Sequence, residues 1–260
     1  MKAKKSLGQN FLMHARIAER IAIASGITSS DTVLEIGPGT GMLTAPLLAR
    51  AKKVIAIETD HELFEQLKEK FANEIKKGRL KLVHGDIRAF DPASIGEPYT
   101  LVANIPYYLT GEIIRSFLSS THKPSALTLL LQKEVAERIA RSKKESILSI
   151  AVKTYGTPNY LFTVPRGAFI PAPSVDSAVL SISGVKMPFA SAKEEERFFE
   201  VLHTGFAHKR KLLAGNLSAL APREQVREAL EVAKIPEKAR AEDVPLASWR
   251  VLTRALAAKR

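Results

Sequence analysis

The stretch LEIGPGTGMLT, running from Leu34 through Gly37, Gly39 and Gly41 to Thr44, decides the fold. An apolar run at residues 32–36 enters it and a helix-like stretch at residues 41–50 leaves it, so the glycines stand where a strand hands over to a helix. Gly37, Gly39 and Gly41 remove side chains where backbone must approach a ligand. The spacing is G-x-G-x-G, not the G-x-G-x-x-G of nicotinamide sites. Taken alone, the turn points to a nucleotide-like cofactor or to a tight turn and nothing more.

Outward from this turn the chain alternates. Residues 15–25 read as a helix before it. After it come a strand at 54–58, a helix at 61–71, and strands at 80–84, 99–103 and 126–131, with helices at 112–118 and 133–140. Such alternation predicts a parallel, doubly wound sheet. Residues 147–154, 160–164 and 177–183 are strand-like with few helical residues between them, which predicts an antiparallel edge. The Gly-, Pro- and Ser-containing stretch 184–192 reads as a boundary. Beyond it, 194–207, 209–217, 223–232 and 245–258 read as helices. The expectation is an α/β domain over residues 1–185, mostly parallel with an antiparallel edge, and a small all-helical domain over 190–260.

Composition bounds the function. The 260 residues are 45% hydrophobic and 25% charged, a globular mix. Lys and Arg number 39 against 27 Asp and Glu, a net charge of +12, which fits either a solubilising basic surface or a polyanionic partner such as nucleic acid. There is no Cys, which excludes disulfides, thiolate metal sites and a Cys nucleophile. No His/Asp/Glu cluster has ligand spacing, so no metal is expected. The basic start MKAKK is not followed by an apolar stretch of signal-peptide length, and no run approaches the roughly 20 apolar residues that span a bilayer. A cytoplasmic protein with no membrane partner is expected.

Three further positions carry chemistry. Glu58 ends the run VIAIETD about 20 residues after Gly37, where a carboxylate accepts both ribose hydroxyls of a bound nucleoside. Asp86 in VHGDIR follows the third strand; its carboxylate can accept an adenine amine while Ile87 covers the ring, and a loop-capping role fits equally well. These positions suit a dinucleotide or S-adenosylmethionine, since both present an adenosine. Asn104-Ile105-Pro106-Tyr107 separates the two. Adenine N6 is a poor nucleophile because its lone pair is delocalised into the ring. The Asn104 side-chain oxygen and the backbone carbonyl before or at Pro106 can accept its two N–H groups and favour pyramidal nitrogen, while Tyr107 stacks on the base.

Six blocks resemble the bacterial small-subunit (16S) rRNA adenine dimethyltransferases: KKSLGQNFL (4–12), LEIGPGTGMLT (34–44), NIPYYLTGEI (104–113), QKEVAERI (132–139), VPRGAFIPAPSVDSAV (164–179) and HKRKLLAGNL (208–217). The resemblance implies a Rossmann-like methyltransferase domain with a helical RNA-docking appendage. It implies S-adenosylmethionine as donor, S-adenosylhomocysteine as product and no metal. It also implies dimethylation at N6 of two adjacent adenosines in the 3′-terminal hairpin loop of small-subunit rRNA, with that RNA or the small ribosomal particle as partner and a monomeric enzyme. Asn10 and Leu12 would contact the cofactor, with Gly37, Gly39, Glu58, Asp86, Ile87 and Asn104 lining the rest of its pocket. Asn104, Pro106 and Tyr107 would serve the target amine, and Phe169 would be the second aromatic sandwiching the adenine against Tyr107. Lys209, Arg210 and Lys211 would dock RNA. The chain departs from the family's usual pattern at His14, at Pro171-Ala172-Pro173-Ser174 and at His208. Three other readings stand beside this one: a 23S rRNA adenine methylase of the antibiotic-resistance type, a non-catalytic RNA-binding assembly factor on the same scaffold, and a nicotinamide oxidoreductase.

Overall fold

A computed structural model describes residue 4 and residues 8–257. Residues 5–7 of the KKSLGQNFL block, and the expected reach of the last helix to residue 258, lie outside the described residues. The chain divides into two compact units. One comprises the chain up to Glu137 together with Gly156–Lys186; the other comprises Arg138–Tyr155 together with the chain from Met187 onward.

In the first unit, β1 (Phe11–Leu12) and α1 (Ala15–Ala24) precede β2 (Thr32–Ile36). There follow α2 (Thr44–Arg50), β3 (Lys53–Glu58), α3 (His61–Lys70), α4 (Ala72–Lys76), β4 (Leu80–His84), β5 (Tyr99–Asn104), α5 (Thr110–Ser119) and β6 (Ala126–Gln132). Next come α6 (Lys133–Ala140), within which the unit boundary falls, and α7 (Ile147–Tyr155) of the second unit. The first unit closes with β7 (Thr157–Val164), β8 (Phe169–Ile170) and β9 (Ser177–Ser183).

Seven strands form one sheet in the order β4-β3-β2-β5-β6-β9-β7. The first five are parallel, and β9 runs antiparallel to both β6 and β7. β2 is buried along its whole length, as a central parallel strand covered on both faces must be. The strand order reverses at β2, and ligands of such sheets bind at that switch, beyond the carboxyl ends of the strands. Register makes this concrete. Ile36 pairs with Ile57 on one side and Ala103 on the other, so Gly37, Glu58 and Asn104 are the next residues out on three neighbouring strands. Glu58 pairs with His84, which brings Asp86 to the same edge.

The expected strand at residues 147–154 is instead the helix α7. Six of its nine residues, Ser149, Ile150, Ala151, Val152, Thr154 and Tyr155, are buried, so no polar stripe betrays a helical period. Ser146 marks its start, its hydroxyl accepting from the Ser149 N–H at 3.1 Å. The single cut expected near residue 185 is corrected with it: Arg138–Tyr155 belongs to the second unit, so the chain passes between units three times. Of the three predicted edge strands, only those at β7 and β9 are strands.

The second unit adds α8 (Ala192–Gly205), α9 (Leu213–Leu217), α10 (Arg223–Val232) and α11 (Leu246–Ala257). They enclose a core of Ile150, Phe198, Leu202, Leu230 and the wholly buried Trp249, whose indole donates to the Val244 carbonyl at 3.1 Å. α8 and α11 approach closely because Gly205 has no side chain: a Cβ there would lie 2.4 Å from Trp249 Cη2. The helix expected from residue 209 begins only at Leu213. No helix of the described residues is long and apolar enough to cross a membrane.

Candidate active site

The glycine turn is held from two sides. Gly41 adopts φ +74°, and a Cβ there would fall 2.5 Å from Phe71 Cε2, so the turn presses directly on α3's end. On the other side the Gly39 N–H donates to Glu58 Oε2 at 3.0 Å, while Glu58 Oε1 accepts from the Asp60 N–H at 2.9 Å. Glu58 is buried at the end of β3, and burial lifts its pKa more than the backbone donors of Asp60 and Gly39 lower it. Its carboxylate lines the cleft above the strand ends, so the ribose-accepting position expected of it shares those oxygens with the turn.

The N-terminal segment lies across the same cleft. Asp60 caps α3 by accepting from the Glu62 N–H at 3.0 Å, and also accepts from Lys4 Nζ at 2.9 Å and Gln9 Nε2 at 3.0 Å. Burial raises the Asp60 pKa, but these donors outweigh it and hold the carboxyl below its usual range. Further along, β1 pairs with β8 through Phe11↔Ile170 and Leu12↔Phe169. Asn10 and Leu12 line the cleft, and the Asn10 carbonyl accepts from Asn104 Nδ2 at 3.1 Å.

Asp86 departs from its expected role in part. It lines the cleft beside Ile87, but its carboxylate accepts from the Arg88 N–H at 2.9 Å and takes the Arg88 guanidinium on both oxygens. These hydrogen bonds hold Asp86 below the usual carboxylate range. The capping reading thus describes its contacts, and an adenine amine would be an additional donor.

At the end of β5, Asn104 spends its amide nitrogen on Asn10, which leaves the carboxamide oxygen as the acceptor end. The Pro106 carbonyl accepts from the Leu109 N–H at 2.9 Å, closing the 3-10 turn Tyr107–Leu109, so of the Ile105 and Pro106 carbonyls that of Ile105 is the one not spent on the turn. Tyr107 is anchored through its hydroxyl to Ser177 Oγ at 2.7 Å, and burial raises its pKa. Phe169 requires a correction. It is 3% exposed, packed in the core with Leu12 and Val179, and absent from the cleft lining. Its two-residue strand turns Phe169 inward and leaves Ile170 outside, 60% exposed.

Glu35, Gln9, Arg88 and Tyr108 are among the lining residues that the motifs do not single out. Glu35 interrupts the apolar run of β2; it is wholly buried, its Oε2 has no hydrogen-bond partner among the described residues, and burial above all pushes its pKa to about 8. An acid inside an otherwise apolar parallel strand was the legible signal. Gln9 and Arg88 act through the contacts given above, and Tyr108, directly after the NIPY motif, is 61% exposed.

Lys209, Arg210 and Lys211 are exposed and lie in a turn ahead of α9, not on a helix. Asn216 of the same block holds that turn, its Nδ2 donating to the Gly205 carbonyl at 2.7 Å and the His208 carbonyl at 3.2 Å.

A parallel sheet with an antiparallel pair at one edge, and a cleft over its switch point, is the fold of the Rossmann-like methyltransferases. The family model described as ribosomal RNA adenine dimethylase matches residues 1–258, and the chain belongs to that family. It is 37% identical over 261 residues to the ribosomal RNA small subunit methyltransferase A of Dehalococcoides mccartyi, covering 97% of this chain and 88% of that protein. The Fusobacterium nucleatum protein of the same name is 39% identical over 251 residues, covering 94% of each. Among solved structures, a dimethyladenosine transferase from Plasmodium falciparum aligns with a TM-score of 0.79 at 27% identity, over 93% of this chain and 95% of that one. The 23S rRNA methyltransferase ErmE aligns at 0.78 and 27% identity, over 95% and 100%. The chain is a methyltransferase, and its family implies S-adenosylmethionine as donor.

Proposed function

We propose that this enzyme transfers methyl groups from S-adenosylmethionine to N6 of two adjacent adenosines in the 3′-terminal hairpin loop of small-subunit rRNA during ribosome assembly, acting as a monomer in the cytoplasm. The observation that carries the reading is the fixed orientation of Asn104, whose amide nitrogen is held by Asn10 so that its oxygen is the end offered to an amine. The curated relatives at 37–39% identity, named for the small subunit, support the choice of RNA.

The residues present fit the donor. Buried Glu58 suits ribose hydroxyls, the Glu35 oxygen that has no partner among the described residues suits a donor group of the cofactor, and Leu12 and Ile87 supply apolar cover. When bound, the donor supplies an electrophilic methyl on a sulfonium. Asn104 Oδ1 and the Ile105 carbonyl accept the two N6 hydrogens, which holds the amine pyramidal and its lone pair turned out of the ring. Tyr107, its hydroxyl fixed on Ser177, offers a ring to the base. Positioning of this kind is worth about 7–11 kcal/mol of barrier. The adenosine must leave its stack to reach the cleft, at a cost of a few kcal/mol that is least in a loop. Lys209, Arg210 and Lys211 meet RNA phosphates from the turn that Asn216 holds.

Incubation with labelled S-adenosylmethionine and either small-subunit particles or free large-subunit RNA tests the reading. Label in the small-subunit RNA supports it; label in the large-subunit RNA alone favours the antibiotic-resistance type of methylase.

A further inference from the structure

Tyr108 is the exposed aromatic of the active-site cleft. It is 61% exposed, although it lines the same cleft as Asn104 and Tyr107. Its ring is not adrift. Gly8, at φ +58°, brings the N-terminal segment against it: a Cβ on Gly8 would lie 3.0 Å from Tyr108 Cε1, 3.1 Å from Cδ1 and 3.7 Å from Pro106 Cβ. One edge of the ring is thus braced while the rest faces solvent at the cleft mouth. A large aromatic left open beside a site that takes up a base is the arrangement of a stacking platform.

Its position in the backbone says which base it meets. Tyr107 and Tyr108 are consecutive in a 3-10 turn, where successive side chains diverge by about 120°. They cannot be parallel walls of one slot. Tyr107 is half-buried and pinned to Ser177, so it belongs to the base inside the cleft. Phe169 is closed off in the core. A nucleotide outside the cleft, covalently next to the one inside, is what remains for Tyr108.

We infer that Tyr108 stacks on the nucleotide adjacent to the target adenosine and so fixes which residue of a run enters the cleft. This rests on the proposed RNA adenosine substrate. The braced ring also ties RNA engagement to the segment carrying Asn10, because Gly8 and Asn10 lie on the same short strap.

Small-subunit particles reconstituted with RNA carrying 2-aminopurine next to the target adenosine provide the test, with fluorescence quenching read beside methylation kinetics. Tyr108→Ala should raise the KM for the particle about tenfold or more and remove the quenching seen with the parent, as loss of one base–aromatic stack predicts. Tyr108→Phe keeps the ring without the hydroxyl, and should retain both the quenching and a KM within about twofold of the parent's. A parent that methylates the particle, beside a Tyr108→Ala variant with the same KM and quenching, overturns the inference alone. A parent that methylates no small-subunit RNA overturns the proposed substrate and this inference together.

Discussion

Glu58 and Glu35, two buried acids on neighbouring strands, behave differently because their partners differ. Glu58 is met by two backbone N–H groups; Glu35 has an oxygen with none among the described residues. Glu58→Ala should weaken S-adenosylmethionine binding by about 1.5–3 kcal/mol, the worth of hydrogen bonds to a charged acceptor. Calorimetry checks this, and unchanged affinity would leave Glu58 with only its hold on the glycine turn. Glu35 yields a pH dependence. Its folded pKa of about 8 stands above the ordinary 4.5, so the unfolded chain releases this proton first as pH rises. The stability it contributes is complete below pH 4.5 and is lost progressively up to about 8, at no more than about 1.4 kcal/mol per pH unit. In the cofactor-free protein, Glu35→Gln should therefore gain thermal stability over the parent across that window. A difference between the two that does not change with pH would contradict the assignment. The motif residues Gly37, Glu58 and Asn104 were legible in the sequence because each ends a strand-like run and the runs align. Glu35 sat inside the glycine motif unread, because the glycines beside it explained the turn. Phe169 was misplaced because a two-residue strand leaves no alternation from which to read a face.

Strands bounded by turns were legible even when wholly buried, as β2 is, whereas a helix without a polar stripe was not. β2 to β6 and the helices between them follow the expected alternation, and β7 and β9 form the expected edge. α7 was missed because its sequence, ILSIAVKTY, is apolar nearly all round and rich in β-branched residues. In the turn before α9 the charges of HKRK are readable, but its conformation depends on Asn216 reaching back to two carbonyls. Asn216→Ala should loosen that turn and cost about 1–3 kcal/mol of stability, since the Asn216 side chain is 5% exposed and two acceptors lose a donor. Denaturant unfolding measures it, and a cost below about 0.5 kcal/mol would show that the turn holds without the side chain. The close approach of α8 and α11 is tested separately by Gly205→Ala, whose methyl would meet Trp249. Overpacking of this kind costs about 1–3 kcal/mol, and an unshifted melting midpoint would show that the indole yields freely.

Across the whole molecule the +12 charge is the feature that composition declared and no single motif explains. Neutralising Lys209, Arg210 and Lys211 together should weaken RNA binding and flatten its salt dependence, by a log–log slope of roughly 0.7–0.9 for each phosphate that is no longer neutralised. Because the run lies in a turn, all three side chains are exposed, and each is free to meet a phosphate of its own. An unaltered slope would place RNA docking on other basic residues. Cofactor affinity should not change, since none of the three lines the cleft. The division into two units was legible only as a single cut, since a sequence read from end to end cannot show Arg138–Tyr155 leaving one core for another.

The role proposed for Asn104 is to present an acceptor oxygen to an adenosine amine of small-subunit rRNA. Nucleoside mass analysis of particles incubated with S-adenosylmethionine and either the parent enzyme or Asn104→Ala tests it directly. N6,N6-dimethyladenosine is expected in the small-subunit RNA with the parent and none with the variant, while the variant still binds the particle. Dimethyladenosine formed at a comparable rate by Asn104→Ala, or methylation by the parent at another position of the base, would contradict it.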